Sequence, residues 1–340
     1  MTQATKTFLV TGGAGFIGGH VCETLLKQGH LVISLDNYDP FYPVEIKRHR
    51  MDGLLSTYGE QLSDLNADIC DPQALELALQ PWHADISTVI HLAARAGVRP
   101  SLLDPQGYLK TNVEGTLNLL EWMRAHSIAH MVFASSSSVY GSRNNAPFKE
   151  TEDISRPISP YAATKAMGEN LLYTYSHLYD MQVTALRFFT VYGAWQRPDL
   201  AIHKFSRLML EDKAIPIFGD GSALRDFSYI EDIVQGILGA IHYSNKGFDV
   251  FNLGESETTS VMDLIHHLET HLHKTAKINW QEAQAGDVPL TCADISKARQ
   301  FLGYNPQTKI ESGLEKFAQW VLTDFHAQEK NPKKRGFANA

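Results

Sequence analysis

Tyr161 and Lys165 stand four residues apart at the head of a long stretch of helical spacing opened by Pro160. Positions i and i+4 share one face of a helix, so a phenol and an ammonium group would sit side by side. A phenol near its ordinary pKa of about 10 is a poor base at neutral pH. A neighbouring cation stabilises the phenolate and brings it within range of proton transfer. Alone, such a pair is common on helices; its surroundings give it meaning. Upstream, Ser135-Ser136-Ser137-Ser138-Val139-Tyr140-Gly141 follows the strand-like run His130–Ala134. Hydroxyls at the C-terminal end of a parallel strand face the crevice where ligands bind. A serine there can bond a substrate hydroxyl and steady the proton going to Tyr161.

A second constellation lies at the start of the chain. Gly12, Gly15 and Gly18 form G-x-x-G-x-x-G after the strand-like Thr7–Val10, and Phe16 and Ile17 open a helix within it. The first glycine permits a tight turn, the second lets backbone approach a pyrophosphate, and the third lets helix and strand pack closely. The helix N-terminus adds N–H donors and partial positive charge. Asp36, eighteen residues past Gly18, can accept both ribose hydroxyls and would repel a 2′-phosphate, so NAD is expected rather than NADP. Asn37 follows it. Asp68, with Ile69, is expected against the adenine, and Leu92, Ala93 and Ala94 give the cofactor a small-residue path along the backbone. The aromatic run Tyr38–Tyr42 either folds over the adenosine or forms a surface loop. His91, at the end of a buried strand, is read as structural.

Strand-like runs at Leu31–Leu35, Thr88–Leu92 and Val183–Phe188 join the two already named. They alternate with helical spacing at Phe16–Lys27, Pro72–Leu79, Gly107–His126 and Pro160–Tyr179. Such alternation implies βαβ units and a Rossmann-type, doubly wound parallel sheet, an α/β fold. Residues 1–188 are expected to form this NAD-binding domain, with 229–243 returning to it. Shorter elements punctuated by glycine and proline then make 189–329 mainly a smaller, substrate-binding C-terminal lobe. Phe251–Gly254 reads as a strand and turn of that lobe. Residues 330–340 read as a flexible basic tail.

The chain has 340 residues, 44% hydrophobic and 20% charged, with net charge −8. That composition suits a soluble globular protein and gives no general affinity for nucleic acid or anionic membrane. No run reaches the about 18 apolar residues a membrane helix needs. Cys22, Cys70 and Cys292 are scattered and odd in number, fitting neither a disulfide framework nor a metal pattern, so a reducing cytoplasm is expected. His267 and His271 lie one helical turn apart, a spacing that can bind zinc, but without an evident third ligand they read as a solvated helix face, and no metal is expected.

Taken together, Thr11–Gly18, His91–Arg99, Asn112–Gly115, Ala134–Gly141, Tyr161–Lys165, Arg187–Gly193, Arg197–Asp199, Arg225–Phe227 and 285–288 resemble the extended short-chain dehydrogenase/reductases that act on nucleotide sugars. The resemblance is closest to UDP-glucuronate 4-epimerases and covers nearly the whole chain. It implies Ser136 on the sugar 4-hydroxyl, and Ser137, Ser138, Thr190 and Arg197 around the sugar carboxylate. It also implies Arg225 on the diphosphate, Arg99 among the substrate contacts, and a homodimer through a four-helix contact. Related dehydratases and decarboxylases carry carboxylates just before the corner tyrosine, where this chain has Ser137 and Ser138. The expected reaction is therefore epimerisation at C4 of a UDP-sugar, foremost UDP-glucuronate to UDP-galacturonate, through a 4-keto intermediate. A UDP-glucose or UDP-N-acetylglucosamine 4-epimerase is the alternative. A UDP-glucuronate decarboxylase or a non-catalytic NAD-binding regulator ranks lower.

Overall fold

Apolar runs too short for helices become the strands of one parallel sheet. The computed structural model describes residues 4–143, 145–244, 247–282 and 286–330. In chain order the first half reads β1 (Thr7–Thr11), α1 (Phe16–Lys27), β2 (Leu31–Asp36), α2 (Val44–Tyr58), β3 (Leu62–Asn66), α3 (Pro72–Leu79) and β4 (Ile86–His91). There follow α4 (Val98–Leu103), α5 (Pro105–Leu109), α6 (Gly115–Ala125), β5 (His130–Ser136), α7 (Pro160–Tyr179) and β6 (Gln182–Phe188). The second half adds β7 (Thr190–Tyr192), α8 (Ala201–Leu210), β8 (Ala214–Phe218), β9 (Leu224–Arg225), β10 (Phe227–Tyr229), α9 (Ile230–His242) and β11 (Phe248–Leu253). Last come β12 (Thr259–Ser260), α10 (Val261–Leu272), β13 (Lys277–Gln281), α11 (Ser296–Leu302) and α12 (Ile310–Lys330).

Seven strands pair in the order β11-β6-β5-β4-β1-β2-β3, every pair parallel. The chain reverses its direction of travel between β1 and β4, and such a switch point opens a crevice at the strands' C-terminal ends. Successive side chains of β1 alternate between the sheet's two faces: Phe8 and Val10 pack in one apolar cluster, Leu9 in the other. Burial of both faces explains why the strands read as continuous apolar runs.

Three features depart from the sequence reading. Phe248–Leu253, expected in the C-terminal lobe, is the edge strand of the main sheet, in register with Val183–Phe188. Phe251 and Leu253 are fully buried there, and α9 packs alongside against α1, β5 and β6. The helix expected over 107–126 is divided by a π-turn at Lys110–Glu114. A full helix, α2, fills the space between β2 and β3, where no helix was read. The tail beyond Lys330 lies outside the described residues, as does position 285 of the 285–288 motif.

Candidate active site

The glycines at the end of β1 show why no other residue serves. Gly12 adopts φ +70, and a Cβ there would meet the Ala93 backbone at 2.8 Å. A Cβ at Gly18 would stand 2.1 Å from the Gly12 carbonyl oxygen. The first turn of α1 has no side-chain cap, leaving its N–H groups for an anion. Asp36, at the end of β2, is buried, and its Oδ1 accepts from the Tyr38 N–H at 2.8 Å and Lys47 Nζ at 3.4 Å. Gly12, Gly18, Asp36 and Lys47 line one cavity of about 490 Å³. Gly15, Phe16, Ile17, Asn37, Asp68 and Ile69 border it with them, and Leu92, Ala93 and Ala94 enter from the end of β4. The cradle that a single Cβ would fill, the uncapped helix end and the ribose-height acid fit a dinucleotide. Asp39, Phe41 and Tyr42 also line the cavity, so the aromatic run folds over it.

The opposite end of the same cavity carries the hydroxyls. Ser159 caps α7 by accepting from the Ala162 N–H at 3.1 Å, and Pro160 fills its first position. That start sets Tyr161 and Lys165 facing the sheet. Burial raises the pKa of the Tyr161 phenol, opposed by the neighbouring Ser136 hydroxyl and the Arg197 charge. Lys165 is buried, and desolvation pushes its pKa down to about 7 against the opposing charge of Glu169. Its Nζ donates to the Ala134 carbonyl at 2.6 Å; no hydrogen bond joins it to Tyr161. Ser136 also caps the short 3-10 turn carrying Ser137 and Ser138, which brings all three hydroxyls to the cavity wall beside Thr190 and Arg197.

Several supports were not read from sequence. Glu169 and Arg187 form a buried ion pair at 2.7 Å, and Ser135 donates to the same carboxylate, anchoring the end of β5. Buried Asn112, inside the π-turn, bonds both the N–H and the carbonyl of Arg95 and reaches Thr164 at 3.0 Å. Tyr108 stands edge-on to Tyr161, centroids 6.1 Å apart. Arg95 bridges Asp39 and Asp104, joining the loops after β2 and β4. Buried Gln196 pins the turn before Arg197 by bonding the Val191 carbonyl and the His203 N–H. Apart from the Gln196 contacts and the Arg95–Asp104 pair, these partners lie far apart in the chain, so no local spacing announced them.

Arg99 and Arg225 do not line this cavity. Arg99 pairs with Asp287 at 2.7 Å and stacks over Phe218. Arg225 feels the charges of both Asp287 and Arg99, so the two arginines form a separate basic cluster. His91 bonds Thr11 at 2.6 Å and Thr116 at 3.0 Å, and burial pushes its pKa down to about 3. It is a neutral structural bridge. Among the described residues, no group of three or more His, Cys, Asp or Glu converges.

The sheet order, glycine turn, strand-end serine and Tyr-x-x-x-Lys helix define an extended short-chain dehydrogenase/reductase. More narrowly, the chain belongs to the family described as GDP-mannose 4,6 dehydratase, which matches residues 9–317. A UDP-glucuronate 4-epimerase of Thermodesulfobacterium geofontis is 43% identical over 314 residues, covering 92% of this chain and 95% of that one. The crystal structure of UDP-glucuronic acid 4-epimerase from Bacillus cereus, in complex with UDP-glucuronic acid and NAD, is 36% identical with a TM-score of 0.86. The match covers 93% of this chain and 99% of that one. A UDP-glucose 4-epimerase of Thermotoga maritima, with UDP-glucose, is 30% identical with a TM-score of 0.84, over 94% and 99% of the two chains.

Proposed function

We propose that this chain is an NAD-dependent UDP-sugar 4-epimerase that interconverts UDP-glucuronate and UDP-galacturonate. One observation carries the choice of reaction. Ser137 and Ser138 stand beside Ser136 on the cavity wall, at the positions where related dehydratases and decarboxylases hold an acid. Without a carboxylate there, elimination lacks its proton donor and acceptor, and decarboxylation has no enzyme acid to protonate C5 and is not assisted.

Tyr161, as phenolate, takes the proton from the sugar 4-hydroxyl, with Ser136 bridging phenol and substrate. Burial alone would keep the phenol protonated; Ser136 and the Arg197 charge work against that. Lys165 lies on the same helix face and, with its pKa near 7, adds positive charge when protonated. NAD, when bound, would supply the acceptor and the donor for the C4 hydride. Tyr161 then restores the proton to the oxygen after the 4-keto sugar has turned its other face.

For a uronate that intermediate is a β-keto acid and prone to lose CO2. Epimerisation requires the carboxylate to be held so that the C5–C6 bond stays out of line with the carbonyl π system. Ser137, Ser138, Thr190 and Arg197 supply short hydroxyls and a cation at this end of the cavity. The basic cluster of Arg225 and Arg99 around Asp287 supports a diphosphate contact for Arg225, with Arg99 among the substrate contacts. Incubating the purified protein with UDP-glucuronate, without added NAD, tests the assignment. UDP-galacturonate is the expected product. A UDP-pentose product, or conversion of UDP-glucose alone, would contradict it.

The exposed apolar side chains Leu103, Leu109, Leu117, Met167 and Tyr173 lie on α4 through α7. Apolar exposure along these helices supports a two-fold contact through them. Three unpaired thiols fit a reducing, cytoplasmic setting. None of the described helices is long and apolar enough to cross a membrane.

A further inference from the structure

Arg197 commits two of its three nitrogens to partners within the protein. Nε and Nη2 donate side-on to the Asp199 carboxylate at 3.0 and 2.7 Å. Nη2 also reaches the Ala96 carbonyl at 3.4 Å. The Phe41 ring covers a face of the guanidinium, 5.0 Å from its centroid. Nη1 donates to nothing among the described residues, although the side chain borders the cavity. A free arginine grips a carboxylate through a two-pronged fork. Here the Nε–Nη2 edge is already filled.

We propose that Asp199 is a specificity-determining positioning residue: it holds Arg197 so that a substrate carboxylate is met by Nη1 alone. The proposal rests on Arg197 being the uronate contact. Single-donor contact leaves the carboxylate plane to be set jointly by Nη1 and the hydroxyls of Ser137, Ser138 and Thr190. The Asp199 charge also offsets that of Arg197, so the sugar is not drawn into whichever pose best satisfies a bare cation. With Asp199 neutralised, the guanidinium swings free of Phe41 and offers a fork. The carboxylate follows it, and the C5–C6 bond of the 4-keto sugar samples alignment with the carbonyl. In that geometry the C5–C6 electron pair moves into the carbonyl and CO2 leaves. The resulting enolate takes a proton at C5 from solvent water, the hydride removed from C4 returns there, and Tyr161 gives its proton back to O4. The product is a UDP-pentose, and no external oxidant or reductant is needed.

The test uses the full-length protein with its retained cofactor. Asp199→Asn and Asp199→Glu are incubated with UDP-glucuronate, and UDP-galacturonate, UDP-pentose and CO2 are quantified. The Asp199 side chain is 33% exposed, so either variant should fold, and Asp199→Ser serves if Asp199→Asn does not. The UDP-pentose share of product should rise at least about tenfold in Asp199→Asn and return toward wild type in Asp199→Glu. A product ratio within about twofold of wild type overturns the proposal, whether or not the rate has fallen. Failure of the wild-type protein to make UDP-galacturonate would instead overturn the underlying assignment.

Discussion

Replacing Gly18 with alanine tests whether the glycine turn is built for close approach. The new methyl would stand 2.1 Å from the Gly12 carbonyl oxygen and 2.9 Å from the Gly13 Cα. Both are backbone atoms with no rotamer to yield. Ordinary contact begins near 3.4 Å, so α1 must withdraw from the turn by about 1.3 Å. Overpacking of this kind costs about 1–3 kcal/mol. Because the displaced N-terminus is the proposed pyrophosphate site, a shift of ~1 Å should also cost about 100-fold in turnover. Gly53→Ala is the matched control. It too lies within a helix, α2, but a Cβ there meets nothing within 4 Å, and the better helix propensity should stabilise by up to about 1 kcal/mol. Melting midpoints, copurified NAD and initial rates are compared for the two variants. Gly18→Ala should lose midpoint, cofactor and rate, while Gly53→Ala keeps all three. A Gly18→Ala protein with full NAD content and ordinary turnover would refute the close-approach account.

Tyr161→Phe keeps the ring packed against Tyr108 and removes only the hydroxyl. Turnover should fall by about 10²–10⁴-fold with NAD content unchanged, and near-normal turnover would remove the tyrosine from proton transfer. Glu255 is buried and its Oε2 has no hydrogen-bond partner among the described residues. Burial, opposed by Lys309, pushes its pKa up to about 7. The folded state therefore holds this proton more tightly than the unfolded chain, and stability is lost as pH rises from about 4.5 through 7. Glu255→Gln should melt above wild type at about pH 8 and lose that advantage at about pH 4; a constant offset would contradict the sign. Leu103→Glu with Tyr173→Glu, at side chains 88% and 59% exposed, should give a monomer by light scattering. An unchanged mass would dismiss the contact through α4–α7.

What the sequence disclosed was local. Gly12, Gly15 and Gly18 declare a turn because their spacing is fixed by one strand–helix junction. Tyr161 and Lys165 are legible because one helical turn separates them, and Ser136 because it ends a strand. Features assembled by tertiary contact left no such trace. The Asp199 hold on Arg197 is close in sequence, yet its meaning depends on Phe41, which arrives from the loop after β2. The Glu169–Arg187 pair joins α7 to β6, and Lys47 meets Asp36 only because α2 folds back over β2. The edge strand Phe248–Leu253 went to the wrong lobe because a short apolar run carries no record of its partner. Arg99 and Arg225, expected at the substrate, gather around Asp287 beside the main cavity, a grouping that their wide separation in the chain kept out of any local pattern.

The most direct test of hydride transfer at C4 uses UDP-glucuronate deuterated at that carbon. Turnover in ordinary water, followed by mass spectrometry and proton NMR of the UDP-galacturonate formed, reports where the deuterium goes. The account predicts full retention at C4, because the hydride leaves and returns within one closed site while Tyr161 moves only the oxygen's proton. Loss of deuterium to solvent would mean that C4 is deprotonated rather than oxidised, and would contradict the mechanism at its centre.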